Sequence, residues 1–161
     1  MFNKNTFFVD KDRSEDKKRL RSLPMRKKHE YIKEIIDQLN NQDAIIVVEG
    51  KKDKIALQKL GIDSKIFLLQ ANCRQFAEPR RKASSVNRDK KSLIETSETL
   101  AQKSHQVILM LDSDPKGLEL TKKMKNHLQS QGVHVNTKIG KTLLRLANSQ
   151  VVESLDKIFL K

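Results

Sequence analysis

The chain has a single cysteine, no tryptophan, one tyrosine and an aromatic content of only 4%. The lone Cys73 excludes an intramolecular disulfide and fits a reducing compartment. So few aromatic side chains argue against a binder that stacks single-stranded bases on flat platforms. No apolar run approaches the roughly 20 residues that a membrane-spanning helix requires. The opening stretch, MFNKNTFFVDKDRSED, mixes acids and bases and has no apolar signal core, so the sequence predicts a cytoplasmic protein that engages no membrane. His29, His105, His127 and His134 are scattered without metal-ligand spacing, which predicts surface or supporting roles. Tyr31 falls in a helical pattern with no strand-end context, a poor setting for a covalent nucleophile.

What the chain does carry is positive charge. Thirty-three Lys and Arg against twenty Asp and Glu leave a net charge of +13 over 161 residues. An excess of that size implies a polyanionic partner, with nucleic acid the leading candidate, and the scarcity of aromatics favours contact with its backbone over its bases. A chain of this length forms one ordinary domain and can bury a core without disulfide or metal staples.

Read in order, residues 1–22 show no sustained period and predict a flexible basic arm. Pro24 then opens a helical pattern with Ile32, Ile35, Ile36 and Leu39 on one face. Residues 1–33 hold eleven basic and five acidic side chains, so arm and helix make one basic patch, either a solvated face or a contact surface. Ala44–Val48 (AIIVV) reads as a buried strand, Lys51–Gly61 as a helix stopped by Gly61, and Ser64–Leu69 as another strand. Residues 70–91 break the pattern, with Pro79 and, from Arg74 to Lys91, seven basic residues against two acidic ones, which predicts a long exposed loop. A helix over Ser92–Lys103, a strand over Val107–Leu111, a helix over Lys116–Gln131 stopped by Gly132, a short strand at Val133–Asn136 and closing helices at Leu143–Ala147 and Val151–Phe159 complete the pattern. Such alternation predicts an α/β layered domain with about four parallel strands.

The chemistry gathers at two strand ends. The run QVILMLDSDPKG places Asp112 and Asp114 directly after a strand apolar on both faces, and AIIVV ends in Glu49-Gly50. Parallel strands put their carboxyl ends on one edge, where open α/β sheets bind ligands, so the three acids should converge. Asp112 and Asp114 are two apart and leave an extended backbone on the same side, a geometry suited to a hard divalent cation. Asp114-Pro115 also reads as a helix start, with Asp114 as N-cap, which accounts for that residue without a cation. Gly50 and Gly117 would let a substrate phosphate approach the backbone, and Lys51 and Lys52 supply charge for it. Arg74, Arg80, Arg81, Lys82 and Arg88 in the long loop, with Lys116 past the second acidic cluster, complete the candidate nucleic-acid contacts.

With Glu49-Gly50 after one strand and Asp112-Ser113-Asp114 after a later one, residues 44–160 resemble a Toprim domain, the Rossmann-like module of topoisomerases, bacterial primases, OLD-family nucleases and the ribonuclease that matures 5S rRNA. Within that superfamily the chain is most similar to small stand-alone archaeal Toprim proteins. The resemblance implies Mg²⁺, or Mn²⁺, held by Asp112 and Asp114. Glu49 would be a further ligand or the general acid/base, and Lys51 and Gly117 would serve substrate phosphate and turn geometry. It divides the chain into a basic arm and helix over 1–43 and a Toprim domain over 44–161. The basic loop and the arm are longer than the small stand-alone type leads one to expect, and nothing resembles the tyrosine domain of topoisomerases or the zinc module of primases. The expected function is Mg²⁺-dependent phosphodiester chemistry, nuclease-type processing of structured RNA or DNA. The alternative is a non-catalytic nucleic-acid-binding module within an RNA-processing or replication complex.

Overall fold

The computed structural model describes residues 15–73 and 91–160, with side chains from residue 18 onward. Helix α1 (Glu15–Arg21) and α2 (Met25–Asn40) lead into β1 (Ile45–Val48), α3 (Lys51–Lys59), β2 (Ile66–Leu68) and the single turn α4 (Leu69–Asn72). Then follow α5 (Leu93–Lys103), β3 (Gln106–Leu109), α6 (Pro115–Ser130), β4 (His134–Asn136) and α7 (Lys138–Leu146). A 3-10 turn at Val152–Ser154 and α8 (Leu155–Phe159) close the chain. The four strands form one sheet in the order β2-β1-β3-β4, and every pairing is parallel. Among the described residues no helix is long and apolar enough to cross a membrane.

The unbroken apolar runs are explained by a core on each side of the sheet. Strand side chains alternate between faces. Ile46, Val48, Ile108 and Met110 join one core with α2, α7 and α8. Ile45, Val47, Val107, Leu109 and Leu111 join the other with α5 and α6. A strand buried on both sides has no use for a polar residue, so β1 ends at Val48 just before Glu49 and the buried apolar run of β3 continues through Leu111 to Asp112. Gly61 (φ +91°) and Gly132 (φ +78°) take the left-handed turns that stop α3 and α6.

Several elements differ from the sequence expectation. The β3 ladder ends at Leu109, although Met110 still donates to the Val47 carbonyl at 2.9 Å and Leu111 is buried. Residues 15–21, expected in a flexible arm, are helical, and Leu20 and Leu23 pack against the core below α7. A two-leucine contact has no period to detect, and tertiary packing stabilises a helix too short to persist alone. Residues 70–72, assigned to the loop, instead form most of α4. Helix α7 begins five residues earlier than Leu143, at Lys138. Gly140 hides that start, yet a side chain there would press on the Leu109 carbonyl and Met110. The loop residues Arg74, Arg80, Arg81, Lys82 and Arg88 and the arm up to residue 14 lie outside the described residues.

Candidate metal centre at the strand ends

The end of β1 is built for tight reversal. Glu49 and Gly50 separate Val48 from the first residue of α3. Asp53, at the third position of α3, reaches back to accept the Gly50 amide at 2.9 Å, which satisfies one of the orphan donors of the helix start. The Glu49 carbonyl accepts the Gln70 amide at 2.8 Å and thereby ties the exits of β1 and β2 together. The Glu49 carboxyl group is held above the usual range, chiefly by burial and then by the charge of Asp112, with Asp114 adding. Lys116 and a hydrogen bond with the Gln70 side chain act in the opposite direction.

The end of β3 is fastened instead. Asp112 accepts the Val152 amide on Oδ1 at 2.9 Å, and Ser113 donates its amide to the Gln150 carbonyl at 2.8 Å. Burial raises the Asp112 pKa, the Val152 amide opposes it, and Asp114 and Glu153 raise it further. Asp114 Oδ1 accepts the Gly117 amide at 2.6 Å and caps α6, with Pro115 at the first helical position. Gly117 is required there, because a Cβ would collide with the Asp112 carbonyl oxygen. The capping role of Asp114 is therefore real, and it engages only one of the two carboxylate oxygens.

A cleft of about 550 Å³ opens over these ends, lined among others by Glu49, Lys51, Lys52, Asp53, Asp112 and Glu153. Gly50 also lines it, whereas Asp114, Lys116 and Gly117 do not, although Asp114 and Lys116 lie close enough to act on Glu49 electrostatically. Lys51 and Lys52 are exposed at its rim, Lys52 facing Glu153 at 3.7 Å.

Two acids of the cleft escaped the sequence reading. Asp53 is buried to 8% exposure and its carboxyl is pushed up to about 6, first by burial and then by Asp112, Glu49 and Glu153 against the Gly50 hydrogen bond. Its signal was present, since an Asp three residues after a strand-ending glycine is a helix-cap pattern. Glu153 reaches the cleft only because the C-terminal turn folds back across it, and its position in the sequence carries no sign of that.

The donors are carboxylate oxygens throughout, which suits a hard cation such as Mg²⁺ or Mn²⁺ and not a thiolate- or imidazole-seeking metal. Among the described residues no three His, Cys, Asp or Glu side chains form a ready-made cage. Mg²⁺ commonly takes one or two carboxylates and completes its shell with water and substrate phosphate, so this donor set fits it. Crowding points the same way: burial and mutual repulsion raise Glu49, Asp53 and Asp112, and a cation among them would offset the repulsion.

The similarity to known proteins spans both strand ends. Residues 44–146, more than half of the chain, match the Toprim domain. A UPF0292 protein of Pyrococcus abyssi is 30% identical over 129 residues, covering 79% of this chain and 83% of its own. One from Thermococcus kodakarensis is 30% identical over 131 residues, covering 80% and 83%. A protein of known structure from Aquifex aeolicus superposes with a TM-score of 0.55 at 29% identity, covering 76% of this chain and 95% of that one. Strand ends, domain match and relatives agree: the chain belongs to the Toprim family, with its nucleic-acid-related, metal-binding role, and within it stands with the small UPF0292 proteins.

Proposed function

We propose that the protein is a Mg²⁺-dependent nuclease that hydrolyses phosphodiester bonds in structured RNA or DNA. The observation that carries this reading is the convergence, from two neighbouring parallel strands, of Glu49 and Asp112 on one open cleft with lysines at its rim. Asp112 and Asp114 would hold the ion, with water and substrate phosphate completing its shell. Bound there, Mg²⁺ or Mn²⁺ would supply positive charge against the charge that develops on the phosphate oxygens.

The chain's own groups account for the rest. Glu49 is the proton-transfer residue: burial and neighbouring acids raise its pKa toward the operating pH, as an efficient acid/base requires. It takes a proton from attacking water or returns one to the leaving oxygen. Lys51 and Lys52 hold substrate phosphates at the rim, and Lys116 lowers the cost of charge on Glu49. Helix α3 starts in the cleft, so its N-terminal amides favour an anion there. Arg74, Arg80, Arg81, Lys82 and Arg88 extend the backbone contacts. Residues 1–43 act as a basic extension to the catalytic domain at 44–161, and the cytoplasm supplies the reducing setting that the single thiol fits.

A second reading is favoured by two specific observations. Asp114 is engaged in capping α6, and no cage is preformed among the described residues. In that case the same surface docks nucleic acid without turnover, inside a larger RNA-processing or replication complex. Labelled structured RNA and duplex DNA, incubated with Mg²⁺, Mn²⁺ or EDTA, separate the two readings. The nuclease reading expects cleavage that requires metal and disappears in Asp112→Asn/Asp114→Asn. Salt-sensitive binding without cleavage, unchanged in the double variant, would leave the docking module.

A further inference from the structure

The Toprim match ends at residue 146, where α7 ends, yet the next residues return to the centre. Asn148 adopts a left-handed backbone (φ +52°) and reverses the chain. Ser149 Oγ accepts the Val151 amide at 3.1 Å and lies 2.6 Å from Ser154 Oγ, which fixes the turn internally. From this turn the Gln150 carbonyl accepts the Ser113 amide and the Val152 amide donates to Asp112 Oδ1. The Val152 side chain is 2% exposed and sits in the core beside Leu155 and Phe159. The segment is thus anchored from below and holds two consecutive residues of the acidic loop by main-chain groups.

We propose that this C-terminal strap, Gln150–Val152, is the positioning element of the metal centre, with the Val152 amide setting the direction in which the Asp112 carboxylate presents its remaining lone pairs to a divalent cation. The inference rests on the reading of Asp112 as a metal ligand. A carboxylate on a short side chain rotates freely unless one oxygen is held, and a hydrogen bond from a backbone amide fixes that oxygen and with it the orientation of the group. The strap contributes main-chain atoms only, so its residues need not be of any special type. It also lies outside the part of the chain that defines the domain.

The test uses the full chain, freed of metal, with Mn²⁺ binding followed by the loss of the free-ion paramagnetic resonance signal. Val152 opens the 3-10 turn, and Val151 before it is extended (φ −117°, ψ 136°), the conformation that precedes proline readily. Val152→Pro therefore deletes the amide donor while keeping apolar bulk, and Val152→Ala keeps the donor while opening the core. Val152→Pro should weaken Mn²⁺ binding by about 10–100-fold and lower the melting temperature, because the Asp112 carboxylate loses its amide partner. Val152→Ala should lower the melting temperature and leave the affinity as in wild type. Wild-type affinity in Val152→Pro, or affinity that tracks melting temperature in both variants, overturns the proposal while Asp112→Asn still abolishes binding. Absence of Mn²⁺ binding by wild type, or full binding by Asp112→Asn, overturns the assignment of Asp112 and the strap's role with it. If Val152→Pro does not fold, the Val152 amide resonance of wild type decides: it should move on Mg²⁺ addition, and a resonance unmoved at saturating Mg²⁺ refutes the proposal.

Discussion

The two strand ends that build the centre hold their acids in opposite ways. At the end of β3 each carboxylate has a backbone amide on one oxygen, Val152 for Asp112 and Gly117 for Asp114. At the end of β1, among the described residues, no backbone amide holds the Glu49 carboxyl; its neighbours are the Gln70 side chain and the charges of Asp112, Asp114 and Lys116. The amide that braces this end goes to Asp53 instead. A group that must point in one direction is best fixed by main chain, whereas a group that must change protonation is best left half-buried among charges. On the proposed reading the contrast would divide the labour within one cleft, with β3 supplying geometry and β1 a proton.

Substitutions at the two ends should therefore fail differently. The largest effect is expected from Glu49→Gln, which should lower metal-dependent cleavage by about 10²–10⁴-fold while Mn²⁺ binding survives. Loss of binding together with cleavage would make Glu49 a ligand and erase the division. Gly117→Ala strikes the fastened end, because the new methyl group meets the Asp112 carbonyl oxygen. Overpacking of that kind costs about 1–3 kcal/mol, read as a lower denaturation midpoint, and it should weaken Mn²⁺ binding because Asp112 and the α6 cap move together.

A smaller effect follows from the raised carboxyl groups. Glu49, Asp53 and Asp112 all have folded-state pKa values above their unfolded ones. The native state then binds more protons than the unfolded chain, and stability rises as pH falls through about 6, the value for Asp53, toward 3.8. Metal-free protein in EDTA should melt higher at pH 5.5 than at pH 7.5, Asp53→Asn should reduce that difference, and Mg²⁺ should reduce it by favouring the ionised forms. A stability that drops as the pH is lowered from 7.5 to 5.5 in EDTA would contradict the burial of these acids. The smallest effect belongs to Lys52→Ala. Its partner Glu153 is 3.7 Å away and the lysine side chain is 84% exposed, so stability should change by less than about 1 kcal/mol. On the proposed reading it contacts substrate phosphate, so the slope of log affinity against log salt should fall by about 1.

Much of this was legible in the sequence because its signals are local. Four parallel strands, the stops at Gly61 and Gly132, and the helix beginning at Ser92 follow from apolar period, turn residues and capping chemistry. Convergence of Glu49 with Asp112 required one further step, that parallel strands share an edge. The start of α7 was hidden because Gly140 reads as a helix breaker, although its role is close packing on β3. Asp53 was overlooked beside three neighbouring lysines, Lys51, Lys52 and Lys54, whose charge drew the segment toward a phosphate-contact reading.

By itself, the sequence determined the α/β class, the order of its elements and the identity of the strand-end acids, since each is written in residues near one another along the chain. Only the tertiary structure decided how those acids are held. The bond from Val152 to Asp112 spans forty residues and comes from a main-chain amide, which every residue but proline possesses. A contact whose donor is common to nearly all residue types leaves no mark in composition, period or motif, and it exists only once the chain has folded back on itself.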